Sequence, residues 1–200
     1  MEAEALELEQ VGVGTLAYVD LTVAPGEIVC LSGPSGSGKT RLLRAVADLE
    51  PHAGCIRLGE IEQDAMPAHE WRRAVMLVPS ESQWWHERVG AHFARPMKEA
   101  LAELGFEAGV EDWPVMRLSS GEKQRLALVR ALSTGPRALL LDEPTANLDD
   151  DSAERVEAWL TRLIREHHMP TLWVAHSIAQ IERVADRHFR VAGSRLKVAA

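Results

Sequence analysis

Cysteine is scarce in this chain: of 200 residues only Cys30 and Cys55 are cysteines. Two thiols cannot build a disulfide framework, and they read as reduced, buried groups of a cytoplasmic protein. Long hydrophobic runs are missing as well. No stretch of about 18 apolar residues exists, so no membrane-spanning helix is predicted, and work at a membrane would depend on another polypeptide. A secretory leader is not expected, since Met1 to Gln10 holds four glutamates and no basic residue. Positive charge is in deficit, with 22 Lys and Arg against 30 Asp and Glu, and the formal net charge is −8. That balance argues against nucleic acid as the main partner. Apart from His176, the histidines show no metal-ligand spacing with cysteine or carboxylates and read as surface residues.

What is present is globular. At 46% hydrophobic and 26% charged, the length suits one domain with room for a subdomain. The stretch around which the rest is organised is Gly33-Pro34-Ser35-Gly36-Ser37-Gly38-Lys39-Thr40. It fits G-x-x-x-x-G-K-[ST]. Glu27 to Leu31 before it reads as a buried strand, and Arg41 to Leu49 after it as a helix. Glycines let backbone N–H groups turn inward around an anion, and the helix adds its positive N-terminal end. In such a loop Lys39 reaches the β- and γ-phosphates of a nucleotide, and the Thr40 hydroxyl binds Mg²⁺.

Leu6 to Val13 and Leu16 to Val23 alternate as two strands joined by a turn at Gly12 and Gly14. Cys55 to Leu58 is another short strand, Gly59 to Glu70 is polar and irregular, and Ala74 to Val78 is strongly apolar. Val89 to Leu104 is helix-forming. Ser119 followed by Glu122 is a capping-box pattern opening a helix over Gly121 to Leu132. Ala138 to Leu141 is an apolar strand closing on Asp142-Glu143, and Asp151 caps a helix running to about His167. Thr171 to Ala175 is a strand ending at His176, Ile178 to Ala185 a helix, and Phe189 to Val198 a closing hairpin. Alternating strands and helices predict a largely parallel sheet with right-handed crossovers.

Two carboxylates at the carboxyl end of a buried parallel strand stand where ligands bind in open α/β sheets. Asp142 is expected to hold Mg²⁺ through water, and Glu143 to polarise an attacking water. Leu118-Ser119-Ser120-Gly121-Glu122-Lys123-Gln124-Arg125 then resembles the signature of ATP-binding cassette (ABC) ATPases, usually Leu-Ser-Gly-Gly-Gln/Glu-x-Gln-Arg. Pro144 to Asp149 resembles the family's D-loop, and His176 its switch histidine. The resemblance covers Leu6 to about Val191. It implies an α/β P-loop NTPase core with an N-terminal antiparallel β edge and a short inserted helical subdomain. Residues 1–78 and 135–200 would form the core, and 79–134 the Q-loop region, subdomain and signature helix.

The resemblance further implies two copies sandwiching two ATP molecules. Residues 33–41 of one chain, Arg41 included, would face Ser119, Ser120, Gly121, Glu122 and the D-loop Asp149 of the other. Lys39, Glu143 and His176 would be the catalytic set. The motor would drive a separate membrane permease from the inner face of the cell membrane. The compact subdomain resembles small bacterial ATPases of metal or iron export. A soluble non-transport ABC ATPase and a low-turnover nucleotide sensor are the rival readings.

Four departures stand out. Ser120 replaces a signature glycine, a change expected to be tolerated although a left-handed backbone would disfavour it. The family's Q-loop glutamine is replaced by Ser80 or re-registered to Gln83. Spacing to Val89 favours Ser80 and puts metal ligation by this loop in question. Val13 stands where an aromatic residue normally stacks on adenine, and the single tyrosine, Tyr18, lies on the next strand. Ser177 follows His176 where Asp is more usual. Trp84-Trp85 fits either an apolar seam filler or an anchor for the permease.

Overall fold

Alternation of apolar and polar side chains turns Leu6–Val13 (β1) and Leu16–Val23 (β2) into an antiparallel pair with one buried face. Ala53–Leu58 (β4) pairs with the other edge of β1, and Ile61–Glu62 (β5) completes a four-stranded sheet in the order β2-β1-β4-β5. The second sheet is built from Ile28–Ser32 (β3), Val75–Val78 (β6), Ala138–Asp142 (β7), Thr171–Val174 (β8), Arg187–Ala192 (β9) and Arg195–Val198 (β10). Its order is β10-β9-β3-β8-β7-β6, parallel except for the β9–β10 hairpin. This computed structural model describes residues 3–199, so both ends of the expected 1–200 domain lie outside the described residues.

β7 and β8 are buried along their whole length, because layers cover both faces of the sheet. The pleat divides their side chains between two cores. Val29, Leu31, Leu140, Leu172 and Val174 face Lys39–Val46 (α1) and the four-stranded sheet. Ile28, Cys30, Leu139, Leu141 and Trp173 face Ser120–Ser133 (α4), Asp150–Glu166 (α5) and Ile178–Val184 (α6). Each fully buried aliphatic side chain is worth about 1.5–3 kcal/mol relative to an exposed one. Burial pushes the Cys30 thiol up to about 12, which makes it inert at neutral pH. Cys55 is only half-buried, short of the expectation for both thiols.

The far end of α1 shows how the sheet layers are tied together. Asp48 takes a left-handed backbone (φ 56°), with Asp48 N–H on Ala45 O and Leu49 N–H on Arg44 O. That pattern satisfies carbonyls the helix leaves over. The Gln63 amide donates to the carbonyls of Ala45 and Val46, and the indole of Trp71, fully buried on Ala68–Ala74 (α2), donates to Val46.

Several elements differ from the sequence expectation, each for a local reason. Gly12 lies within β1, leaving Gly14 to the turn. Residues 59–70 are more ordered than their polarity implied, since β5, a 3-10 turn over Gln63–Ala65 and the start of α2 fall there. Val89–Leu104 is not one helix. A 3-10 turn over Val89–His92 and a short helix, Lys98–Glu103 (α3), flank Pro96, whose ring and missing N–H break the ladder. The helix expected to be capped by Asp151 is capped two residues earlier by Asp149, whose carboxylate accepts from Ser152 N–H at 2.9 Å.

Gly54 lies where the two central strands of the small sheet, β1 and β4, meet, at φ 84° with its Cα against the Glu9 and Gln10 carbonyls. A Cβ there would overlap both carbonyl oxygens. Gly54→Ala is therefore expected to cost at least about 1–3 kcal/mol from the left-handed backbone alone. The measurement is urea unfolding, where an unchanged midpoint would show that β1 and β4 part readily.

Candidate functional site

The carboxyl ends of three neighbouring strands, β3, β8 and β7, meet at one edge of the large sheet. From β3 the chain passes through Gly33 to Gly38 into α1. Gly38 caps that helix at φ 98°, where a Cβ would come 3.3 Å from Leu16 Cγ. Only glycine relieves both demands, and the tight approach docks the loop under the β1–β2 turn. Lys39 Nζ curls back to donate to the carbonyls of Gly33 (2.9 Å) and Pro34 (3.0 Å), and Ser37 N–H donates to Pro34 O at 3.2 Å. Burial pulls the Lys39 ammonium below the ordinary lysine range, opposed by the charges of Glu143 and Asp142.

Across β8, Thr40 Oγ1 donates to Asp142 Oδ2 at 2.9 Å. Asp142 is 4% exposed, and its other oxygen, Oδ1, is buried with no hydrogen-bond partner. Burial raises its carboxyl above the usual range, while Thr40, Lys39 and His176 pull it down. A buried, half-satisfied carboxylate beside a hydroxyl is an all-oxygen donor set of the kind that hard cations such as Mg²⁺ prefer. The Ser37 hydroxyl, also buried without a partner, lies in the same loop.

Glu143 follows at φ 51°, a left-handed backbone that few glutamates adopt. Three groups hold it. Its N–H donates to Val174 O at 3.1 Å, its carbonyl accepts from Gln124 Nε2 at 3.0 Å, and its Oε1 meets His176 Nε2 at 2.7 Å. The structure thus brings Lys39, Thr40, Asp142, Glu143 and His176 to one place. Sequence reading assigned no role to Gln124. Its signal was its place in the Leu118–Arg125 motif, one turn inside the helix.

The remaining expected residues lie apart. Ser119 caps α4 through a full capping box, accepting from Glu122 N–H at 3.2 Å while the Glu122 carboxylate accepts from Ser119 N–H at 2.8 Å. Those bonds hold the Glu122 carboxyl below the usual range. Ser120 is the first residue of α4, so its substitution for glycine meets no left-handed backbone and carries no strain. No hydrogen bond or ion pair joins residues 119–122 or Asp149 to residues 33–41 among the described residues. Arg41 instead pairs with Glu50, and its guanidinium lies against Gly14 at the β1–β2 turn, while Val13 is buried beneath.

Ser80 and Gln83 are both exposed, and Gln83 is held through its main chain, its carbonyl accepting from Arg130 Nη1 at 2.7 Å. The guanidinium of Arg130 stacks on Trp84 (4.7 Å) and Trp85 (5.0 Å). Trp84 packs into the core, whereas Trp85 is 66% exposed. His92 corrects the surface reading of the histidines. It is 8% exposed, and its Nε2 accepts from Trp85 N–H (3.1 Å) and His86 N–H (3.0 Å) while Nδ1 donates to Arg88 O (3.1 Å). Only the neutral ring can do both.

A model of the ABC transporter family matches residues 16–146. The aliphatic sulfonates import ATP-binding protein SsuB 1 of Pseudomonas fluorescens is 39% identical over 179 residues, covering 88% of this chain and 67% of that protein. The Fe(3+) ions import ATP-binding protein FbpC of Streptomyces avermitilis is 39% identical over 191 residues, covering 88% of this chain and 55% of that one. The chain thus spans between about half and two thirds of the length of these relatives. A bacterial Atm1-family ABC exporter with ATP bound shares the fold at a TM-score of 0.86 and 24% identity, over 98% of this chain and 38% of that one.

Burial, with Arg130 and His86 nearby, disfavours the charged His92 ring. A histidine so depressed stabilises the fold above its ordinary pKa of about 6.5, and the contribution is lost as pH falls below it. Loop 84–92 is therefore expected to loosen in the acidic window below about pH 6.5. Tryptophan fluorescence should titrate in that window in the wild type and not in His92→Asn; identical titrations would remove His92 as the cause.

Proposed function

The chain belongs to the ABC transporter family, and on that premise we propose that it is the ATP-hydrolysing nucleotide-binding subunit of a transporter. Two copies close on two ATP molecules, and closure followed by reopening drives a separate membrane permease. The observation that carries this reading is the Thr40–Asp142 hydrogen bond, with Asp142 Oδ1 left over beside it and Glu143 and His176 at the same sheet edge.

Residues 33–40 cradle the phosphates with backbone N–H groups, and Lys39 shifts from the Gly33 and Pro34 carbonyls to the β- and γ-phosphate oxygens. Mg²⁺, when bound, would be held by Thr40 directly and by Asp142 through water, and it would neutralise charge on those oxygens. Glu143 Oε1 orients the attacking water and takes its proton as the γ-phosphoryl group passes from ADP to that water. His176 Nε2, within hydrogen-bond reach of the same oxygen, fixes the carboxylate and donates toward the γ-phosphate on closure. Ser119 to Glu122 and Asp149 of the second copy complete the site, consistent with their separation from residues 33–41 of their own copy.

Among the described residues no helix is long and apolar enough to cross a membrane. The permease accordingly supplies the anchor, and the subunit works from the inner face of the cell membrane. The groove of about 280 Å³ lined by Met76, Leu77, Trp85, His92 and Arg130 is the proposed seat for it, with Trp85 as the exposed anchor.

Glu143→Gln is expected to retain ATP binding, to lower turnover by about 10²-fold or more, and to accumulate a dimer with ATP on size exclusion. Wild-type turnover in that variant would remove Glu143 as the base. Lys39→Ala is expected to weaken ATP binding by at least about tenfold, since it deletes a charge-assisted phosphate contact. Equilibrium binding of a fluorescent ATP analogue reads this out, and unchanged affinity would remove the loop as the nucleotide site.

A further inference from the structure

Gln124 is buried one turn inside α4, and its amide is satisfied at both ends. Nε2 donates to the Glu143 carbonyl at 3.0 Å, and Oε1 accepts from Asn147 Nδ2 at 2.9 Å. The same helix end touches the same loop a second time, where a Cβ on Gly121 would stand 3.1 Å from Leu148 Cδ2 and 3.3 Å from Asn147 O. On its far side the loop is tied to α6, since Gln180 Nε2 donates to Thr145 Oγ1 at 2.6 Å and to the buried Glu157 at 2.7 Å. Residues 144–149 are thus slung between the helix that opens at Ser119 and the helix that follows His176.

We propose that Gln124 is a positioning residue that couples the Ser119 end of α4 to the Glu143 carboxylate, with Asn147 as its second anchor. This rests on the motor reading, in which that end of α4 meets the nucleotide of the other copy while Glu143 serves its own. Glu143 does not keep φ 51° by its own preference, so its aim depends on the bonds that hold it. A Gln amide bonded at both ends in a buried setting has one orientation. Movement of α4 must carry the Glu143 backbone along or break both bonds. The state of one nucleotide site is thereby felt at the other.

The test uses Gln124→Met, which keeps volume and apolar packing but removes both bonds, together with Asn147→Ala and the double variant. ATP turnover is measured against ATP concentration beside the wild type, and ATP affinity in the Glu143→Gln background. Each single variant is expected to lose about 10- to 100-fold in kcat, the scale set by misaiming a reacting group by an ångström. KM and ATP affinity should stay within about twofold, and the Hill coefficient should fall toward 1. The double variant should be no worse than Gln124→Met alone, because both changes cut one relay. Unchanged kcat, a parallel loss of ATP affinity, or additive losses in the double variant would each overturn the coupling. A wild type without turnover would overturn motor and relay together, whereas a working wild type with an unaffected Gln124→Met would overturn the relay alone.

Discussion

The hydrogen bond from Thr40 to Asp142 is the contact on which the site depends. It joins the loop after β3 to the end of β7, two strand spacings away, or about 10 Å in sheet geometry. The loop can span that gap because α1 turns its first residues back over β8. Burying a carboxylate is costly unless it is satisfied, and here one oxygen is satisfied and the other is not. Thr40, Lys39 and His176 all favour the charged form against its burial. The fold therefore holds an anion at the price of a standing demand for positive charge. That demand is what an all-oxygen cation site supplies.

The next residue shows a second kind of cost. Among the described residues Glu143 is one of five non-glycine residues at positive φ, with Gln10, Tyr18, Asp48 and His168. Asp48 and His168 end helices, where such a backbone satisfies leftover carbonyls. Glu143 ends a strand instead, and it is held by groups from β8, from α4 and from His176. Strain maintained by three separate elements is over-determined, as expected where aim matters more than local comfort.

Most of the fold was legible because the sequence spoke locally. The G-x-x-x-x-G-K-[ST] loop, the apolar Ala138–Leu141 run and the Ser119/Glu122 capping box each sit where their own chemistry demanded. What failed to show was decided by partners distant in sequence. Val89–Leu104 reads as helix by composition, yet Pro96 and packing against α4 divide it. His92 looks like any surface histidine until two backbone N–H groups, seven and six residues before it, turn toward its ring. Gln124 and Asn147 stood in recognised motifs, but only the fold shows that their amides meet. The worry over Ser120 came from importing a glycine's conformation to a position that turned out to be plain helix.

The Ser119 end of α4 makes the case for a second copy physical rather than only familial. Helix N-termini attract anions through free N–H groups and the dipole. Here the Glu122 carboxylate already accepts from the Ser119 N–H, drawn below its usual pKa by that bond and by Arg125 and Arg117. An arriving phosphate must displace an anion that belongs to the helix itself. Within one chain nothing drives that exchange, since among the described residues no hydrogen bond or ion pair joins residues 119–122 to the phosphate loop. In the proposed dimer a second chain would change the balance, because it would bring the phosphates together with Lys39 and the cation that Asp142 calls for. Repulsion from Glu122 is then met by charge arriving on the same surface. On that proposal the helix end, self-capped in the single chain, becomes competent only when the opposite loop is loaded, which would tie closure to nucleotide.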